Sequence, residues 1–185
     1  TWGTACELQQ LWVEPAHRRR GIGAQLVREF ESRAQARGCR TFYLETFSFQ
    51  APALYTVKSG PAKGSQFVGA GQKSGQYWAL DPDTGAKKWV TQAGPGGTAG
   101  GLQWGSAVDG RRVYTANVNS NGIPWPGPGG ATTGVWSALD AGTGQLIWET
   151  RPPHGGATSG PVTTANGVVF GCSLDPSGWM YALDA

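Results

Sequence analysis

The segment Gly75-Gln-Tyr-Trp-Ala-Leu-Asp-Pro-Asp-Thr-Gly-Ala-Lys-Lys-Trp89 recurs with unchanged spacing as Gly134-Val-Trp-Ser-Ala-Leu-Asp-Ala-Gly-Thr-Gly-Gln-Leu-Ile-Trp148. Gly178-Trp-Met-Tyr-Ala-Leu-Asp-Ala185 opens a third copy. A repeat of this kind is one supersecondary unit that buries its apolar face only against its neighbours, so the copies must stack. Ala-Leu-Asp reads as the end of a strand. Asp-x-x-Thr-Gly reads as a tight hairpin turn, with the Asp capping the turn and the Gly supplying positive φ. The Trp then falls on the next, outer strand, where it packs back onto the sheet. Strands are expected at 66–71, 76–81 and 87–91, at 105–109, 112–118, 134–140 and 145–150, and at 159–164, 167–172 and 178–183. The thirty Gly and nine Trp follow from this pattern of turns and repeats.

The first 57 residues have a different texture. Leu8, Leu11 and Val13 form an apolar run closed by Pro15, as in a strand. From Ala24 the apolar residues fall at Leu26, Val27, Phe30, Ala34 and Ala36, a helical period, with Gly38 as the stop. Thr41 to Phe47 is rich in β-branched and aromatic residues and reads as a buried strand. Between the first strand and the helix lies His17-Arg18-Arg19-Arg20-Gly21-Ile22-Gly23. A Gly-rich basic loop at a helix start can hold a phosphate, because the first helical N–H groups lack partners and the dipole is positive there. A basic loop on a solvated face is the other reading open to it. Residues 58–65 (Lys-Ser-Gly-Pro-Ala-Lys-Gly-Ser) read as a turn-rich linker.

Leu11 to Ala24 resembles motif A of the GNAT acetyltransferase superfamily, Arg/Gln-x-x-Gly-x-Gly/Ala, with Arg18, Gly21 and Gly23 in the motif positions. Leu44 to Tyr55 resembles that family's following strand and the start of its next helix. The resemblance covers residues 5–57. It implies that the loop Arg18, Arg19, Arg20, Gly21, Ile22, Gly23 and Ala24 binds the pyrophosphate of acetyl-CoA, that Tyr55 protonates the leaving thiolate, and that Glu7 serves as base. Packing as a core aromatic is the other reading of Tyr55. Only six residues precede Glu7, whereas the family places strands and helices there that shape the acceptor pocket. CoA binding without complete acetyl transfer is therefore the expectation.

Residues 66–185 resemble the repeat of quinoprotein β-propellers, with the tryptophan-docking pattern. Phe67 to Gly85, followed by Gly96-Gly97-Thr98 and Gln103-Trp104-Gly105-Ser106, looks most like the polyvinyl alcohol dehydrogenase branch. That resemblance implies a pyrroloquinoline quinone (PQQ) beside calcium at the propeller axis, accepting hydride from an alcohol. Trp104 could stack on such a ring, with blade packing the competing role; no metal-ligand set can be carried over.

The remaining composition narrows the classes. His17, Arg18, Arg19, Arg20, Arg28, Arg33, Arg37 and Arg40 crowd one stretch, against Glu29 and Glu31, in a chain of formal charge +3. A phosphate-bearing cofactor or a solvated helix face explains this more simply than nucleic acid. Cys6, Cys39 and Cys172 have no metal spacing and read as free thiols. No run reaches the ~20 apolar residues that span a bilayer, and no leader segment is visible, which predicts a cytoplasmic location. The expected fold class is α+β. A truncated GNAT-like β-α-β segment (1–57) and a linker (58–65) precede an all-β partial propeller (66–185) of about two and a half four-stranded blades, completed by oligomerisation. The expected function is that of a chimera with no complete parental active site, whose main property is self-assembly and whose partner is a second copy of itself. A PQQ-dependent alcohol oxidoreductase fragment and an acetyl-CoA-binding N-acetyltransferase fragment are the alternatives.

Overall fold

The computed structural model describes residues 5–8, 11, 13–17, 20–43, 53–127 and 129–185. Its contacts divide the chain into two units, Thr1–Thr46 and Phe47–Ala185.

In the first unit, strand β1 (Ala5–Glu7) pairs in parallel with β2 (Thr41–Tyr43), with Cys6 opposite Phe42. Parallel neighbours need a crossover connection. Here it is a 3-10 turn at Pro15–His17 followed by helix α1 (Ile22–Ala36). Ile22, Val27, Phe30 and Ala34 are partly or fully buried, while most of the remaining described side chains of α1 are solvated. The exposed Glu29–Arg33 pair, 2.7 Å apart one turn along the helix, adds at most a few tenths of a kcal/mol. The helix ends as Gly38 predicts. Gly38 has φ 79°, its N–H donates to the Gln35 carbonyl, and the Cys39 N–H reaches back to Ala34. That pair of bonds is a Schellman cap, which requires a left-handed residue at Gly38. The helix begins at Ile22, two residues before the apolar period becomes visible in sequence.

The second unit is three antiparallel meanders. Sheet 1 runs β3 (Ala53–Thr56), β4 (Gln66–Gly71), β5 (Gln76–Leu80) and β6 (Lys87–Gln92). Sheet 2 runs β7 (Ala107–Val108), β8 (Arg112–Asn117), β9 (Val135–Asp140) and β10 (Leu146–Thr150). Sheet 3 runs β11 (Thr163–Ala165), β12 (Val168–Cys172) and β13 (Met180–Asp184). The first strands of successive sheets touch, β3 on β7 and β7 on β11.

Both repeat turns form as the spacing predicts. Asp81 Oδ1 accepts from the Asp83 and Thr84 amides and from the Thr84 hydroxyl. Asp140 Oδ1 accepts from the Gly142 and Thr143 amides and from the Thr143 hydroxyl. Strand alternation then sorts side chains by face. Tyr55, Phe67, Tyr77, Ala79 and Trp89 of sheet 1 meet Val113, Leu139 and Ala141 of sheet 2 in one core. Tyr114, Ala116, Trp136 and Ala138 on the other face of sheet 2 meet Val162 and Val169 in a second, flanked by Tyr181 and Leu183.

Two expectations shift. Residues 53–56, read as the start of a helix, form β3 and pair with β4, Tyr55 opposite Phe67. The reason is alternation: Tyr55 and Val57 are buried while Leu54 and Thr56 are exposed. Residues 58–65, read as a linker, are the β3–β4 hairpin loop. The Val57 N–H donates to Ser65 and the Lys58 N–H donates to Gly110 in the β7–β8 turn. Of the expected strand at 41–47, the described part is β2; residues 44–47 lie outside the described residues, as do Gln9, Gln10 and Trp12 of the first run. Among the described residues, no helix is long and apolar enough to cross a membrane.

Candidate functional site

In the first unit the sequence-predicted loop meets the helix at Gly21. Gly21 is the N-cap residue, with φ 74° and ψ 3°, and makes no side-chain cap hydrogen bond. A left-handed N-cap suits glycine, which has no Cβ to clash. A Cβ built at Gly21 or Gly23 would meet, apart from its chain neighbours and its own helix turn, no described atom within 4 Å, so a side chain there has room. Arg20 is exposed, and its Nη1 lies 3.3 Å from His17 Nδ1. Arg20, Gly21, Ile22 and Gly23 are thus contiguous around one helix start, where backbone amides and the dipole favour an anion. Arg18 and Arg19 lie outside the described residues, as do the side chains of Ala24 and of Glu7, whose backbone ends β1.

Tyr55 belongs to the second unit. It is buried, its ring meets Phe67 edge-on at 6.0 Å, and its hydroxyl donates to the Ala141 carbonyl at 3.1 Å. Burial pushes its phenol well above the ordinary tyrosine value, with Tyr77 and Asp140 adding to the rise. Tyr77, fully buried, is pushed up to about 12 by burial, against a lowering hydrogen bond with Ser106. Both phenols stay protonated; Tyr55 acts as a donor inside the core, and Tyr77 shares a hydrogen bond with Ser106 at 3.0 Å.

Trp104 sits in the connection from β6 to β7 and Ser159 in the connection from β10 to β11. The Trp104 indole N–H donates to Ser159 Oγ at 3.1 Å, and the ring is 42% exposed. Thr158, next to Ser159 in the chain, belongs to a buried polar stitch. Asn117 Nδ2 donates to the Pro95 carbonyl, and the Thr158 hydroxyl donates to the Asn117 carbonyl. Asn119 then accepts from the Ile123 amide and donates to the Ile123 and Thr133 carbonyls. Sequence reasoning missed Asn117, Asn119, Thr158 and Ser159. The run Asn117-Val-Asn-Ser-Asn121 was the available signal for the first two; the others act across more than twenty residues and left none. His154 is exposed and stacks on Trp179 with centroids 5.2 Å apart.

The acidic groups here are structural. Ser173, together with the Ser177, Gly178 and Trp179 amides, holds the Asp175 carboxyl below its ordinary value against the burial that raises it. Lys88, 2.9 Å away, and the Thr84 donors hold Asp81 far below its ordinary value. Trp104 offers a face on which a planar ring could lie. Among the described residues, however, no group of three or more His, Cys, Asp or Glu side chains converges where a metal could sit. A calcium–quinone centre therefore finds no cluster of three carboxylate, histidine or cysteine donors among the described residues.

Comparison with known proteins finds two separate resemblances in one chain. Residues 2–60 match the acetyltransferase (GNAT) family. The polyvinylalcohol dehydrogenase of Sphingopyxis sp. (strain 113P3) is 39% identical over 103 residues, covering 55% of this chain and 15% of that protein. The polyvinylalcohol dehydrogenase of a Pseudomonas sp. is 33% identical over 136 residues, covering 68% of this chain and 20% of that protein. The chain thus spans a fifth or less of the length of these relatives. Among solved structures, the quinohemoprotein alcohol dehydrogenase from Comamonas testosteroni aligns with 66% of this chain and 24% of its own, at a TM-score of 0.46 and 19% identity. Residues 2–60 accordingly resemble part of the GNAT family, and 55–68% of the chain resembles part of polyvinylalcohol dehydrogenases.

Proposed function

We propose that the chain is a chimera of these two fragments and that its second unit is a propeller sector whose property is self-assembly. The observation that supports this comes from the repeat itself. Tyr77, Trp136 and Met180 occupy one repeat position, three residues before the turn Leu. Tyr77 is 0% exposed under sheet 2 and Trp136 is 1% exposed under sheet 3, whereas Met180, facing outward from sheet 3, is 69% exposed. Ala79, Ala138 and Ala182 follow the same order, the first two fully buried and the third exposed. At the opposite end, the face of sheet 1 that carries Leu54, Val68, Trp78 and Leu80 is partly open, with Leu54 62% exposed. The corresponding Leu139 of sheet 2 is fully buried against sheet 1. Sheet 3 of one copy therefore fits sheet 1 of a second copy by the contact that already joins sheets 1, 2 and 3. Such a head-to-tail interface closes into a ring when the rotation allows. Two copies would supply six sheets, inside the range of about four to eight blades that closed propellers use.

The test is a pair of variants at exposed positions, Leu54→Asp on sheet 1 and Met180→Asp on sheet 3. A charge in a sheet-to-sheet core costs several kcal/mol unless paired. Each variant alone is expected to sediment as a monomer. Their mixture is expected to restore a dimer, because one intact face remains on each chain. Variants that assemble like the parent, or a mixture that stays monomeric, would contradict the reading.

A second reading concerns the first unit. The left-handed Gly21 and the open space at Gly23 support binding of a pyrophosphate-bearing acyl carrier such as acetyl-CoA at the start of α1. Gly23→Val has room to fold, and it puts a branched side chain into the Gly-rich helix start. Calorimetry with acetyl-CoA is expected to show at least a tenfold loss of affinity with an unchanged melting temperature. Equal affinity in the variant, or no binding to the parent chain, would refute it.

A further inference from the structure

The chain holds two Asn-Gly pairs, Asn121-Gly122 and Asn166-Gly167, and both are exposed. The second unit holds them differently. Asn121-Gly122 lies between β8 and β9, in a loop pinned by Asn119. The Gly122 N–H donates to the Asn119 carbonyl at 3.1 Å. The Asn119 side chain accepts from the Ile123 amide and donates to the Ile123 and Thr133 carbonyls. Asn166-Gly167 is the two-residue turn of the β11–β12 hairpin, closed by the pairing of Ala165 with Val168. Both turn residues have positive φ, 51° and 78°, as a type I′ turn requires. The Gly167 carbonyl accepts from the Ala185 amide, while the Gly167 N–H finds no hydrogen-bond partner among the described residues. A Cβ at Gly167 would meet, apart from its chain neighbours, no described atom within 4 Å.

We propose that Asn166 is a self-modification site, at which the backbone attacks the side-chain amide and water completes its conversion to a carboxylate. The Gly167 nitrogen gives its proton to hydroxide and attacks Asn166 Cγ. The Cγ–Nδ2 bond breaks, ammonia leaves, and a five-membered succinimide closes. Water then opens the ring. Breaking the new bond to Cγ gives aspartate at this position. Breaking the original peptide bond gives isoaspartate, in which the main chain runs through Cβ and Cγ. The balance is one amide and one water converted to one carboxylate and one ammonium. Glycine suits the attack because no side chain crowds its nitrogen, and an unpaired N–H is open to the base. The step quickens as pH rises, since it needs the deprotonated nitrogen. At Asn121 the same attack must first break the Gly122 bond and loosen the Asn119 pins. Isoaspartate adds one carbon to the backbone of a two-residue turn, so Ala165 and Val168 no longer match. β11 is only three residues long and is the strand of sheet 3 that touches β7, so the change reaches the contact with sheet 2.

The test incubates the full chain at mildly alkaline pH, with and without urea, and follows both Asn-Gly peptides by mass spectrometry. In the native chain the Asn166 peptide is expected to show the amide-to-acid mass change several-fold faster than the Asn121 peptide. Isoaspartate, read by electron-transfer fragmentation, is expected among its products. In urea the two rates are expected to converge, because the fold no longer distinguishes the pairs. Asn166→Gln, whose longer side chain disfavours the ring, is expected to leave only the slow conversion at Asn121. Equal rates in the native chain, a faster Asn121, or an Asn166 that converts only in urea would overturn the proposal.

Discussion

Trp136→Ala is expected to destabilise the second unit by about 3–5 kcal/mol, the loss typical of deleting a fully buried aromatic. Trp136 is 1% exposed in the core between sheets 2 and 3, with its ring 5.2 Å from that of Tyr181. It also closes on sheet 3 at Gly171, where a Cβ would lie 2.6 Å from the indole nitrogen. Among the described residues the indole N–H has no hydrogen-bond partner. The loss on truncation is therefore packing, and Trp136→Phe should recover most of it. Urea unfolding followed by far-UV circular dichroism at constant m-value measures both. A loss below about 1 kcal/mol for the alanine variant would mean that sheets 2 and 3 do not depend on this ring for their contact.

The second large effect is expected at the repeat turn, and the repeat supplies its own control. Gly144 and Gly85 close the two equivalent hairpins with φ of 74° and 72°. A Cβ at Gly85 would meet nothing within 4 Å, whereas a Cβ at Gly144 would lie 2.4 Å from Trp89 Cε3. Gly85→Ala therefore pays only left-handed strain, about 1–2 kcal/mol. Gly144→Ala pays the same strain and must also push aside an indole whose N–H donates to the Ala141 carbonyl at 3.2 Å. Overpacking of that kind adds about 1–3 kcal/mol. The Gly144 variant should therefore unfold at a distinctly lower urea concentration than the Gly85 variant. Equal losses would show that Trp89 is not seated on this turn.

How far the sequence could be read follows from the range of each interaction. The hairpin Asp-x-x-Thr-Gly is local, the donors to Asp81 Oδ1 and Asp140 Oδ1 all lying within three residues, and it forms as its spacing predicts. The strands flanking those turns follow, because alternation and the repeat fix their faces. β3 was hidden by its context: four residues, Ala53–Thr56, follow a segment that resembles a helix start, and only pairing with Phe67 and Val68 decides them. The helix starts at Ile22, two residues before the apolar period that begins at Ala24, and the Gly-rich loop around Gly21 was the local mark of that start. The Trp104–Ser159 contact was not legible, since fifty-five residues separate the partners and each is ordinary in its own loop.

The central claim is that the outer faces of sheets 1 and 3 are complementary and covered by a second copy. Sedimentation velocity of the full chain, at concentrations from micromolar upward, tests it directly. The expected result is one discrete oligomer of the 19.4 kDa chain, most simply two copies, persisting on dilution through that range. A folded 19.4 kDa monomer across the whole range would contradict the account, since Met180 and Leu54 would then face water in the stable species.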